Sequence, residues 1–215
     1  MGRKTVAFTA ALVWWVSTPL SGQAVVDFES LAVGTQFGSG FGQLPGDLIF
    51  TESGVAVSID EFTQGTFTGF NFVTIGGFTD PAFPTPPATI NNVRLVFDPP
   101  SVDGGDVTGA SFEYVDFGGS ENLVINGAVA ELSEFSSAPM TLGGVNVVVN
   151  TVPSPILGVN EAGTVVLDGV INTLEIGGQE LGIDNVRFIP EPASAAVLGL
   201  SVLTVAAGRR KRSGV

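Results

Sequence analysis

The stretch Leu123-Val124-Ile125-Asn126-Gly127-Ala128-Val129-Ala130-Glu131-Leu132 decides the fold class of this chain. Asn-Gly between two aliphatic runs is a two-residue hairpin signal: both turn positions need positive φ, which glycine reaches freely and asparagine tolerates. The same grammar continues outward. Short β-branched and aromatic runs at 25–28, 55–59, 70–75, 93–97, 111–115, 145–149, 164–167, 173–176 and 183–188 are separated by Gly, Asn, Asp and Pro clusters, the pattern of strands and turns. Asp168-Gly169 repeats the hairpin signal. The chain has 29 glycines in 215 residues, and away from the two ends they interrupt nearly every window that would sustain a helical period. The expectation is all-β, an antiparallel β-sandwich of jelly-roll-like form, because so many short strands suit two packed sheets better than a small barrel. Residues 37–42 and 80–87, the latter holding Pro81, Pro84, Pro86 and Pro87, read as long loops.

The two ends differ from the body. Arg3 and Lys4 precede an apolar run at 6–16, and Gly22-Gln23-Ala24 follows with small side chains at the positions a signal peptidase inspects. This is the order of a secretory signal, with cleavage after Ala24. Its 11-residue apolar run is short of the roughly 20 residues that span a bilayer as a helix. At the other end, Pro190-Glu191-Pro192 precedes an uncharged stretch at 193–207, then Gly208 and the cluster Arg209, Arg210, Lys211, Arg212. Residues 193–208 as a helix would reach about 24 Å, against a hydrocarbon core of roughly 30 Å. Local thinning and snorkelling of the arginines close that gap. The cations after the apolar run favour the cytoplasmic side and leave the body outside. The chain thus divides into a signal peptide with its helix at 1–24, an acidic β-sandwich at 25–189, and a tail with a single transmembrane helix at 190–215.

On Pro190-Glu191-Pro192, the Ala- and Leu-rich apolar stretch and Arg209-Arg210-Lys211-Arg212, the tail resembles the PEP-CTERM sorting signal of exported bacterial proteins. The resemblance covers residues 190–215. It implies that an exosortase, a membrane-embedded sorting enzyme, acts near Pro190 to Pro192 and releases or re-attaches the exported body. It also implies a Gram-negative source, placement at the cell surface or in a biofilm matrix, and exopolysaccharide as a neighbour.

Composition excludes much chemistry. Without cysteine or histidine there is no disulfide, thiolate metal site, cysteine nucleophile, Ser-His-Asp relay or imidazole-bound metal. Between 25 and 189 only Arg94 and Arg187 stand against twenty carboxylates, a formal charge of −18. Such a body repels nucleic acid and anionic lipid and attracts divalent cations. No phosphate loop, nucleophile elbow or Asp-Thr-Gly motif is present, so no enzyme is expected. Both tryptophans, Trp14 and Trp15, lie in the signal segment and Tyr114 is the only tyrosine, a poor supply of rings for stacking on sugars. Phe67, Phe70 and Phe72 are the candidates for an aromatic groove.

Calcium is the most physical cofactor for so many carboxylates, because a hard cation prefers oxygen ligands. By alternation Asp184 shares a strand face with Val186 and Phe188, where an ionised carboxylate needs a partner. A bulge at Asp184, or pairing with Arg187 or Arg94, is an equal alternative. The acidic run Asp98, Asp103, Asp106 lacks EF-hand spacing and reads as a solvated turn. Leu181-Gly182-Ile183-Asp184-Asn185-Val186-Arg187-Phe188 and Asp27-Phe28-Glu29 together resemble the closing and opening strands of jelly-roll carbohydrate-binding and lectin-like modules. In those modules the first and last strands run close together and often hold a structural Ca2+. Carried over, the resemblance implies Asp184, with Glu29 or Asp27, as ligands. Two functions follow as expectations: an exported structural or adhesive protein, or a calcium-supported carbohydrate-binding module.

Overall fold

The structure, a computed structural model, describes residues 22–63, 71–76, 87–99, 106–153 and 158–190. In chain order its strands are β1 (Ala24–Val26), β2 (Gln36–Gly38), β3 (Leu48–Glu52), β4 (Val55–Glu61), β5 (Phe72–Ile75), β6 (Ala88–Asn91), β7 (Val93–Asp98), β8 (Val107–Asp116), β9 (Glu121–Ile125), β10 (Ala128–Leu132), β11 (Thr141–Leu142), β12 (Val145–Thr151), β13 (Glu161–Asp168), β14 (Leu174–Gly178) and β15 (Leu181–Pro190). Single turns of 3₁₀ helix occur at Ser39–Phe41 and Phe135–Ser137, and no α-helix occurs among the described residues. The signal helix and the transmembrane helix expected from the sequence lie outside them.

All pairings are antiparallel and fall into two sheets. One has nine strands in the order β11-β12-β13-β8-β15-β6-β5-β2, with β1 also beside β15. The other has six, in the order β10-β9-β14-β7-β4-β3. Side chains alternate across a strand, so each sheet sends one set inward. Ala110, Phe112 and Tyr114 of β8, Ile183, Val186 and Phe188 of β15, Leu95 and Phe97 of β7, and Leu123 and Ile125 of β9 join one buried cluster between the sheets. Phe97 and Phe188, from opposite sheets, meet with ring centroids 6.4 Å apart. The all-β, two-sheet expectation therefore holds.

Three tight turns carry the chain from one sheet to the other. Asn92 alone joins β6 to β7, with φ 56°. Residues 117–120 join β8 to β9, and Gln179 with Glu180 joins β14 to β15. These three crossings are tied together at one end of the sandwich. The Asn92 N–H donates to Gly178 O at 2.8 Å, Gln179 N–H to Ser120 O at 3.0 Å and Phe117 N–H to Glu180 O at 3.1 Å. Gln179 Nε2 also donates to Asn92 Oδ1 at 2.8 Å.

The opposite end is organised by Asn126. Asn126 and Gly127 have φ 52° and 78° and pair Ile125 with Ala128, the two-residue hairpin read from sequence. The Asn126 side chain does more than turn the chain. Its Nδ2 donates to Gly143 O (3.1 Å) and Val170 O (2.8 Å), and its Oδ1 accepts from Asn172 N–H (2.8 Å) and Thr173 N–H (3.4 Å).

Two local expectations need correction. Asp168-Gly169 does not form a hairpin: β13 belongs to the nine-stranded sheet and β14 to the six-stranded one, so residues 169–173 are a crossing. Gly169 N–H and Ile171 N–H bond to Thr108 O and Val107 O instead of to a returning strand. Residues 37–42 are not wholly loop, because Gln36, Phe37 and Gly38 pair with β5. Of the other expected loop, 80–86 lies outside the described residues.

Replacing Asn126 by Asp keeps the tolerated backbone conformation but turns two donors toward carbonyl oxygens into a repelling carboxylate oxygen. N126D is expected to lose about 2–3 kcal/mol of unfolding free energy, measured by chemical denaturation at pH 7. A loss as small as that of a surface Asn→Asp change would show that the side chain does not pin this end.

Candidate functional site

Inward alternation does not stop where the apolar residues stop. After Ala110, Phe112 and Tyr114, the next inward position of β8 is Asp116. On β9 the inward set that includes Leu123 and Ile125 begins at Glu121, and on β13 the set that includes Val165 and Leu167 begins at Glu161. Register gathers them at the end where the three crossings are tied: Asp116 lies opposite Glu161 on one side and Leu181 on the other, and Glu121 lies opposite Leu132 and Gly178. Asp116 and Glu121 are 0% exposed.

The surroundings are polar on one side and aromatic on the other. The Tyr114 hydroxyl donates to Glu161 Oε1, which also accepts from Ser136 N–H at 3.0 Å. Gly118 N–H donates to Asp116 Oδ1 at 2.6 Å. Asn160 Nδ2 donates to Glu134 Oε1 at 3.3 Å. Phe135 covers the cluster, its ring 4.7 Å from that of Tyr114 and 5.5 Å from that of Phe112 between centroids.

Burial without a cation shifts the ionisations together. Burial pushes the Glu121 carboxyl up to about 9, and the neighbouring Asp116 charge pushes the same way. Asp116 is also raised, chiefly by burial, against the opposing pull of the Gly118 N–H and the Glu121 and Asn160 side chains. Burial, then the hydrogen bond to Glu161, raises the Tyr114 hydroxyl well above the ordinary phenol range. The arrangement can hold a proton between carboxyls.

The residues singled out from sequence are placed differently. Asp184 does not share a face with Val186 and Phe188. A register shift between Asp184 and Arg187 sets the bulged Asn185, φ 51°, into β15, so Ile183 and Val186 both face the core. Asp184, 0% exposed, lies opposite Glu113 on the outer side, and its Oδ1 accepts from Asn185 N–H at 2.7 Å. The bulge alternative is the one found. Arg187 donates to Asn185 Oδ1 at 3.1 Å.

Asp27 follows β1, its Oδ1 accepting from Glu29 N–H at 3.1 Å, and Glu29 is exposed. The backbone N–H groups of Asp27, Phe28 and Ser30 converge on the Glu52 carboxylate at 2.9–3.2 Å. No group of three or more acidic side chains among the described residues could hold a metal ion. Asp98 and Asp106 are exposed, and Phe72 is half-buried on β5; Asp103, Phe67 and Phe70 lie outside the described residues. Ala24 is buried in β1 opposite Phe188, and Pro190 ends β15. Glu191, Pro192 and Arg209 to Arg212 lie outside the described residues.

Arg94 is on the outer face of the six-stranded sheet, not beside Asp184. It bridges Asp60 at 2.8 Å and Glu175 at 3.3 Å. It lies across Gly177 so closely that a Cβ there would come 2.5 Å from Arg94 Cγ, so the glycine makes room for the ion bridge. Burial raises the Glu175 carboxyl, Arg94 opposes that shift, and Asp60 adds to it.

No family model matches the chain, and neither does any curated protein or solved structure.

Tyr114 is the only tyrosine, so tyrosinate absorbance reports a single group. In an alkaline titration the folded protein is expected to show no tyrosinate at about pH 10, where a free phenol is half ionised, and to show it only as the fold is lost. Half-ionisation near pH 10 with the fold intact would contradict the buried, Glu161-bound hydroxyl.

Proposed function

We propose that this chain is exported and sorted through its C-terminus to the cell surface or extracellular matrix, where it serves a structural or adhesive role without catalysis. The observation that carries the reading is the ordered tail: Pro190-Glu191-Pro192, an uncharged stretch at 193–207, then Arg209-Arg210-Lys211-Arg212. In this reading a signal peptidase cuts at Ala24 and an exosortase-type enzyme acts at Pro190 to Pro192, so the chain is a substrate in both reactions. Among the described residues no helix is long and apolar enough to cross a membrane, and the signal segment and the apolar stretch of the tail lie outside them.

The jelly-roll form is supported by strand order. β6-β15-β8-β13 and β7-β14-β9-β10 lie within the two sheets. Numbered in chain order those eight strands read 1-8-3-6 and 2-7-4-5, the winding of a double-sheet jelly roll. β1 beside β15 favours the second reading, a calcium-supported carbohydrate-binding module, because opening and closing strands run together there. Its aromatic supply counts against it: Tyr114 is enclosed.

Labelling the C-terminus and following it through the envelope tests the first reading. Loss of the label from surface protein, prevented by replacing Pro190, Glu191 and Pro192 with alanine, is expected; an intact tail on mature surface protein would count against processing. The second reading predicts glycan-array binding that disappears with a chelator and a rise in melting temperature with Ca2+. Flat binding and no calcium shift would remove it.

A further inference from the structure

Three carboxyl oxygens at the tied end, Asp116 Oδ2 and both oxygens of Glu121, are sealed from solvent and meet no hydrogen-bond donor among the described residues. They belong to opposite sheets. Asp116 closes β8 and Glu121 opens β9, and the two carboxyls lie within hydrogen-bonding reach of each other. Every titratable group acting on them is acidic or phenolic: Tyr114 on β8, Glu161 on β13 and Glu134 ahead of the 3₁₀ turn. The strands paired beside them contribute Leu181, Leu132 and Gly178, which carry no charge. Arg94 and Arg187 are the cations of the described residues, and both stand on outer faces.

Two enclosed carboxylates with no cation are costly in a sandwich interior, since both charges are cut off from water and three of their four oxygens meet no donor. One proton removes both faults. The protonated carboxyl becomes a donor, the other remains an acceptor, and a charge-assisted hydrogen bond joins them. We propose that a proton held between Asp116 and Glu121 acts as a bond between the two sheets, and that its loss to solvent loosens the end where the chain crosses at Asn92, at 117–120 and at Gln179-Glu180.

Glu121 keeps its proton to about 9 in the fold, against 4.5 in the open chain. Between those values the native state holds more protons than the unfolded state, so stability falls as pH rises through the window and is greatest below it. The device tightens the body in acid and releases it in alkali.

Three measurements on the full chain decide the matter. In infrared difference spectra of wild type against Glu121→Gln at pH 7, the carbonyl stretch of a protonated carboxylic acid should be present in the wild type and lost in the variant. Its absence from wild type at pH 7 overturns the proposal whether or not the variant folds. The melting temperature of wild type should drop by about 5–10 °C from pH 5 to pH 9. E121Q, whose amide donates to Asp116 without titrating, should flatten that decline, while Asp98→Asn, which removes an exposed carboxylate, should retain it. If E121Q and D98N decline in parallel with wild type, general charge repulsion explains the slope and the clamp is refuted. Amide exchange at Gly118, bonded to Asp116 Oδ1, should accelerate over the same pH range beyond its intrinsic dependence in wild type and not in E121Q. Equal acceleration in both would also refute it.

Discussion

Every second side chain of β8 points between the sheets, so the strand that delivers Ala110, Phe112 and Tyr114 to the core also delivers Asp116. Alternation has no exception for charge. The same constraint acts on β9 through Glu121 and on β13 through Glu161; register sets Glu161 opposite Asp116, and the 117–120 turn brings Glu121 to the same end. The organisation of this end follows from that geometry: the tyrosine bonded to Glu161, the Phe135 lid and the Gly118 N–H turned back to Asp116.

Charge elsewhere in the body is handled by different means. Arg94 is flanked by Asp60 and Glu175 and laid over a glycine, so opposite charges neutralise each other at the surface of the six-stranded sheet. Glu52 is neutralised without any cation, by three backbone N–H groups after β1. A body with two arginines therefore satisfies its carboxylates in three ways: by guanidinium, by peptide dipole and by mutual protonation.

What the sequence made legible was set by local chemistry. The Asn126-Gly127 hairpin could be read because its positive φ angles demand those two residues. The two-sheet class could be read because strand-like runs recur between turn residues. The carboxyl cluster escaped because the runs at 111–115, 123–125 and 164–167 end at their last apolar residue, whereas the strands continue through Asp116, Glu121 and Glu161. Continuing the alternation would have placed all three acids inside, by one step for Asp116 and Glu121 and by two, past Gly163, for Glu161. Asp184 misled for the opposite reason: its alternation looks regular, but one inserted residue at Asn185 reverses the face. Asp168-Gly169 carries hairpin residues at a crossing, because tight reversal and sheet switching both call for unusual φ and the local sequence does not say which partner strand follows. The short strands β2, β6 and β11 owe their form to neighbours in the sheets more than to their own composition.

The position of β15 has a mechanical consequence. It is hydrogen-bonded to β8 along one side and to β6 and then β1 along the other, and the chain leaves it at Pro190. Tension on that exit loads rows of backbone bonds in shear, so that many must yield together. β1 enters beside Phe188 at the same end, and drawing the two termini apart would instead peel it away pair by pair. One strand is thus a firm anchorage against the bulk of the molecule and a weak zipper against its own beginning, a directional strength that follows from where the chain enters and leaves.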